Sequence, residues 1–288
     1  MAIGIGVNAW VWTSPFTTQD GPDGLGLLDK VKQMGFDSFE FGLEDTAHVD
    51  AAKLKQKLQQ TGLRCVVCGA FGPDRDLTHD DASVRENSLN YITQALALCQ
   101  KSGCPTLAGP MYSAVGKRRH VTPDQKKKEW DLAVKGLKEA GKRAADGGIT
   151  LAIEPLNRFE TDLINTAEQC KQLVDAIDMK NVGFHLDSFH MNIEEKSSYD
   201  AIKRAGNRLY HFHACENDRG APGSGKNIDW DGVAKGLKEV NYAHDAVIES
   251  FTPKTKSIAA AAAIWRQLAP TQDALAQDGL AFLKKTLK

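Results

Sequence analysis

One alternation recurs along the whole chain: short apolar runs rich in β-branched and aromatic residues, each followed by a longer stretch with amphipathic helical spacing. Eight such pairs can be read. Strands are expected near residues 3–7, 36–41, 63–69, 105–109, 149–155, 181–187, 208–214 and 244–250. Strand and helix in alternation make βαβ units, whose strands lie parallel in one sheet. Caps support the reading. Leu25, Leu28, Val31 and Met34 form a helical stripe that stops at Gly35, and Thr122-Pro123 opens a long helix to about Gly147. Asp146-Gly147-Gly148 then turns the chain into the fifth strand. Eight units leave roughly 36 residues each, which suits a closed (β/α)8 TIM barrel better than the alternative, an open doubly wound sheet. No Pro/Ser/Gly-rich linker divides the chain, so residues 1–288 are expected to form a single barrel domain.

Charge and cysteine usage exclude several function classes. The formal net charge is -1, so the basic footprint of a nucleic-acid binder is missing and no such partner is expected. Two local basic runs, Lys117-Arg118-Arg119 and Lys126-Lys127-Lys128, read as solvated loop and helix surface. The start, MAIGIGVNAWVW, has no positive n-region, and SIAAAAAIW near the end is too short to span a bilayer, so a cytoplasmic protein without membrane contact is expected. Six cysteines without a small secreted scaffold point to free thiols. Cys65 and Cys68 spell CxxC, but on a strand residues three apart face opposite ways. Gly220 to Lys226 matches the start of a phosphate-binding loop, yet Asn227 replaces the Ser or Thr that would hold magnesium, and the glycines read instead as a loop folding over the site.

In a (β/α)8 barrel the active site lies at the carboxyl ends of the strands. Four polar residues end four consecutive apolar strands: Glu154 in TLAIEP, Asp187 in VGFHLD, His213 in LYHFHA and Glu249 in AVIES. Their separations of 33, 26 and 36 residues advance about one barrel unit each, so their side chains can converge above the strands. Three carboxylates and one imidazole suit one divalent cation such as manganese, and burying the carboxylates together without a cation would be costly.

At these residues the chain resembles the ketose 3-epimerases, the group of D-tagatose, D-allulose (psicose) and L-ribulose 3-epimerases. They belong to a barrel superfamily that includes hydroxypyruvate isomerase, inosose dehydratase and endonuclease IV. The matching stretches are EPLNRFET (154–161), HLDSFHMNIEE (185–195), HFHACENDRG (211–220) and VIESF (247–251). The resemblance implies that Glu154, Asp187, His213 and Glu249 are metal ligands, for manganese or else cobalt or magnesium, with Glu154 and Glu249 doubling as acid and base. It implies that Glu160, His190 and Arg219 bind a ketose near carbons 1 and 2, with His190 in a loop beyond the strand. Cys68, Phe251, Trp10, Trp12 and Tyr112 are expected to wall the pocket, although VNAWVW in the first strand departs from the family spacing.

The implied reaction is reversible epimerisation of free ketoses at carbon 3 through a cis-enediolate. An aldose-ketose isomerase or inosose dehydratase of the same superfamily is the enzyme alternative, and a sugar-binding barrel the non-enzyme one. Endonuclease IV chemistry is disfavoured by near-neutral charge and only eight histidines. The family also implies a homodimer or homotetramer, for which an apolar helix from Ile258 to Leu268 is a candidate contact face.

Overall fold

The computed structural model describes residues 3–288. Eight strands, β1 (Gly4–Asn8), β2 (Ser38–Leu43), β3 (Arg64–Gly69), β4 (Thr106–Gly109), β5 (Thr150–Ile153), β6 (Val182–Asp187), β7 (Leu209–Ala214) and β8 (Asp245–Ile248), pair in chain order into a closed barrel. Every pairing is parallel, and β8 returns to β1 with Gly4 opposite Asp245. All eight coincide with the runs expected from sequence, six lying wholly inside them while β1 and β2 run one and two residues past theirs, and the open-sheet alternative is excluded by the closure.

Ten helices are described: α1 (Gly26–Met34), α2 (Ala51–Thr61), α3 (Ala82–Ser102), α4 (Pro123–Asp146), α5 (Ala167–Ile177), α6 (Ser188–Glu194), α7 (Ser198–Ala205), α8 (Trp230–Glu239), α9 (Lys256–Ala261) and α10 (Gln272–Leu287). The local chemistry explains their ends. Gly35 stops α1 at φ 89°, in the left-handed conformation that glycine adopts without a Cβ penalty. Thr122 caps α4 through the Gln125 N–H, with Pro123 inside the first turn. The helix expected over 258–268 is shorter than foreseen. It closes at Ala261, and Ala263 takes a left-handed backbone at φ 54°. Its apolar residues turn inward: Ile264 is buried, whereas Trp265 is 77% exposed.

The core has two compartments because side chains alternate across each strand. Outward residues such as Ile5, Val7, Phe39, Phe41, Val67, Leu107, Leu151 and Ile153 pack beneath the helices. Inward residues Val66, Ala108 and Ala152 form a small apolar cluster in the barrel. Cys65 and Cys68 fall in different clusters, and all six cysteines are free and buried. Among the described residues no helix is long and apolar enough to cross a membrane.

Candidate active site at the carboxyl ends of the strands

Alternation aims one side chain per strand into the barrel mouth. On β6, His185 and Asp187 share the inward face, and on β7 His211 and His213 do. Glu154 and Glu249 lie one residue beyond β5 and β8, but their N–H groups continue the ladder, bonding Gly109 O (3.2 Å) and Ala214 O (3.3 Å). All four acidic and imidazole candidates are buried: Glu154, Asp187, His213 and Glu249. One donor atom from each of Glu154, Asp187 and His213 falls within 4.8 Å of the others. Glu249 Oε1 stands 3.2 Å from His213 Nδ1. Asp187 has a second task, since its Oδ1 accepts the Phe189 N–H at 2.8 Å and so caps α6. His190 therefore sits on a helix rather than in the expected loop.

Arg219 and His190 close over this group. Nη1 of Arg219 donates to Asp187 Oδ2 at 2.5 Å and to Glu249 Oε2 at 2.6 Å, while its guanidinium lies 3.9 Å from the Phe189 ring centroid. The residue holds a left-handed φ of 67°, stabilised by Arg219 N–H to Glu216 O at 3.0 Å. His190 Nδ1 accepts the Asn157 backbone N–H at 3.1 Å, so its proton belongs on Nε2, 3.8 Å from Glu154 Oε1. Asn157 Nδ2 also donates to Glu160 Oε1 at 2.8 Å.

The electrostatics separate the two glutamates. Burial, together with the Glu249 and Asp187 carboxylates, pushes Glu154 well above the usual carboxylate range. Burial also raises Glu249, but His213 and Arg219 outweigh it and hold the carboxyl well below its ordinary value. Burial and the Arg219 charge keep the His190 imidazole neutral. Glu154, Asp187 and Glu249 are three buried carboxylates facing one buried guanidinium. That excess of negative charge, with an imidazole beside it, is a donor set into which a divalent cation such as manganese, cobalt or magnesium fits.

Glu40 was not singled out from sequence. It lies on β2 with no exposed surface, its Oε1 2.7 Å from His213 Nε2 and its Oε2 2.6 Å from His211 Nε2. The signal was present in SFEFGL, a carboxylate between two phenylalanines in the middle of a strand, but carboxyl-end reasoning passes over it.

Above these groups opens a cavity of about 730 Å³, lined by Glu154, Glu160, His190, Arg219, Glu249, Cys68 and Phe251 among others. Two residues expected there are elsewhere. Trp12 points toward α10, where its Nε1 donates to Asp273 Oδ1 at 2.6 Å. Tyr112 is fully buried and donates to Ile164 O at 3.1 Å, bracing the segments after β4 and β5. Trp10 does take a wall position, over Gly42, where a Cβ would meet its ring at 1.9 Å. The physical reason is the 3-10 turn over Ala9–Val11, which replaces strand alternation with roughly 120° per residue. Ile258 of α9 also lines the cavity, so the expected contact face is partly consumed inside the molecule. Nor is the first basic run plain solvated surface: Lys117 Nζ reaches Asp76 Oδ2 at 2.7 Å, and Arg119 reaches buried Glu129 at 2.8 Å. The Gly220–Lys226 loop is tied by Glu216, which accepts from Gly223 N–H and Trp230 Nε1, each at 2.8 Å.

Comparison with known proteins agrees with this geometry. The profile of the xylose isomerase-like TIM barrel family matches residues 28–286. A probable ketose 3-epimerase of Synechocystis sp. is 34% identical, covering 99% of this chain and 96% of its own. L-ribulose 3-epimerase of Mesorhizobium japonicum is 31% identical, covering 97% and 92%. The crystal structure of D-allulose 3-epimerase from Methylomonas sp. in complex with D-allulose superposes with a TM-score of 0.91 at 27% identity, covering 99% of this chain and 97% of that one. The chain thus belongs to the xylose isomerase-like TIM barrel family and, within it, to the ketose 3-epimerases, which are isomerases acting on sugars.

Proposed function

We propose that this protein epimerises free ketoses at carbon 3, with one divalent cation held by Glu154, Asp187, His213 and Glu249. The observation that carries the reading is the convergence of two buried carboxylates, Glu154 from the end of β5 and Glu249 from the end of β8, on one cavity beside Asp187 and His213. Two carboxylates that reach a bound sugar from different strands are the arrangement that acid–base proton exchange needs. One of the two glutamates, ionised, takes the carbon-3 proton from one face, and the other, carrying a proton, returns one to the other face. In the reverse direction the two exchange roles through a cis-enediolate of the sugar. When bound, the cation supplies polarisation of the ketone and neighbouring hydroxyl oxygens, preferring manganese or cobalt over magnesium on its mixed oxygen and nitrogen donors.

His190 presents its Nε2–H, and Arg219 its Nη2 side, to the carbon-1 and carbon-2 oxygens, while Glu160 accepts from a hydroxyl there. Cys68, Trp10 and Phe251 supply apolar walls, with Trp10 and Phe251 at 5.5 Å between centroids. The buried free thiols suit the cytoplasm, and a homodimer or homotetramer is the assembly the family suggests. The test is product analysis on D-tagatose, D-fructose, D-allulose and L-ribulose, before and after exhaustive chelation and manganese return. The reading expects carbon-3 epimers, lost on chelation and restored with the metal. Full activity after chelation would sink the cation assignment.

A further inference from the structure

His213 has two ring nitrogens and only one of them can face the cation centre with a lone pair. Nδ1 stands 3.2 Å from Glu249 Oε1 and has no hydrogen-bond partner, and Nε2 points across the barrel to Glu40. We propose that Glu40 is a positioning residue: its carboxylate accepts the Nε2 proton of His213 and thereby fixes the tautomer whose Nδ1 lone pair is free for the cation. The proposal rests on the cation reading above.

An ionised carboxylate accepts and never donates, so each nitrogen that meets it must carry a proton. Glu40 accepts from two, both at Oε1: His213 Nε2 at 2.7 Å and Asn8 Nδ2, whereas His211 Nε2, 2.6 Å from Oε2, is out of line for a hydrogen bond. The Asn8 amide cannot be turned to offer its oxygen instead, because its Oδ1 already accepts the Trp10 N–H at 2.8 Å. Oε1 of Glu40 is thus held from two known directions. The residue has no exposed surface and lies outside the substrate cavity, whose lining does not include it. On the β3–β5 side the barrel interior is filled by Val66, Ala108 and Ala152, so packing alone does not require an acid at this depth. A carboxylate behind a ligating histidine orients the ring and raises its basicity, and loss of such a partner commonly weakens metal binding by about 10- to 100-fold.

Glu40→Gln preserves volume but offers an amide that can donate to Nε2, letting the His213 proton move to Nδ1. Calorimetric titration with manganese should show affinity lower by about 10- to 100-fold in this variant. Its KM for the ketose at saturating manganese should stay within about twofold of wild type, because Glu40 does not touch the cavity. Nitrogen-15 spectra of zinc-loaded wild-type protein should show His213 protonated at Nε2 and ligated through Nδ1. Equal manganese affinity in the variant and wild type overturns the proposal and leaves the cation reading standing. Failure of wild type to bind manganese overturns both. If Glu40→Gln does not fold, the wild-type spectrum decides alone, since ligation through Nε2 contradicts the proposal.

Discussion

Glu154 and Glu249 have the same side chain and different neighbours, and the neighbours set what each can do. Arg219 and His213 contact Glu249, while Glu154 has only His185 and His190 at 3.6 and 3.8 Å. Glu154→Gln and Glu249→Gln should each lower turnover by about 100- to 10,000-fold, the loss typical of a missing acid or base. Metal content must be measured beside rate, and a Glu249→Gln protein that keeps its metal and near wild-type turnover contradicts the two-carboxylate scheme. Arg219 is the only buried guanidinium among these acids, so Arg219→Ala should lower the stability of the chelated protein by about 3 kcal/mol, as removal of one partner from a buried ion pair does. Thermal unfolding with and without manganese reads this; Arg219→Lys should not restore activity, because one ammonium can replace Nη1 between the two carboxylates but offers no second nitrogen in the place of Nη2. The two tryptophans separate wall from scaffold. Trp10→Ala should raise KM, whereas Trp12→Ala should leave the kinetics unchanged and cost stability alone, as steady-state rates and melting curves would show.

Strands and helices were legible because their signals are local. The apolar run of VGFHLD and the Thr122-Pro123 opening of α4 specify their elements without help from distant residues. What failed to show was decided by irregular backbone: the turn after β1 that sends Trp10 to the cavity and Trp12 away from it, and the left-handed Ala263 that ends the run of alanines. The contact between β1 and β2 offers a test at this level. Asp37 N–H bonds Ile5 O at 2.8 Å and its Oδ2 accepts the Ile5 N–H at 2.9 Å, pinning the register. Burial raises the Asp37 carboxyl, but the Ile5 N–H and Lys288 outweigh it and lower the value below 3.8. A carboxyl depressed in the folded state stabilises above its unfolded value and loses that contribution as pH falls through the folded one. Asp37→Asn should therefore cost about 1 kcal/mol at neutral pH, after discounting for solvent screening. In urea titrations the gap to wild type should close as the pH falls through the depressed Asp37 value; a gap independent of pH would contradict the ion-based account.

At the scale of the molecule, closure of eight parallel strands converts four residues spread over 96 positions, from Glu154 to Glu249, into one buried cluster. That much followed from spacing, because each barrel unit carries one strand end to the same rim. The other half of the site did not. Glu40 lies in the middle of β2 and Trp10 in the turn after β1, so neither ends an apolar run as the later four residues do; Asn8 does end β1, and the meeting of Asn8, Glu40 and His213 depends on β1 lying beside β2 within a closed ring. The central claim is that this ring moves a proton at carbon 3 between two opposed glutamates, and hydrogen isotope placement tests it most directly. D-fructose or D-allulose is incubated with the manganese-loaded protein in deuterated water, and the products are read by nuclear magnetic resonance. The account predicts the carbon-3 epimer carrying deuterium at carbon 3. Aldose as the main product, or label confined to carbon 1, would contradict it.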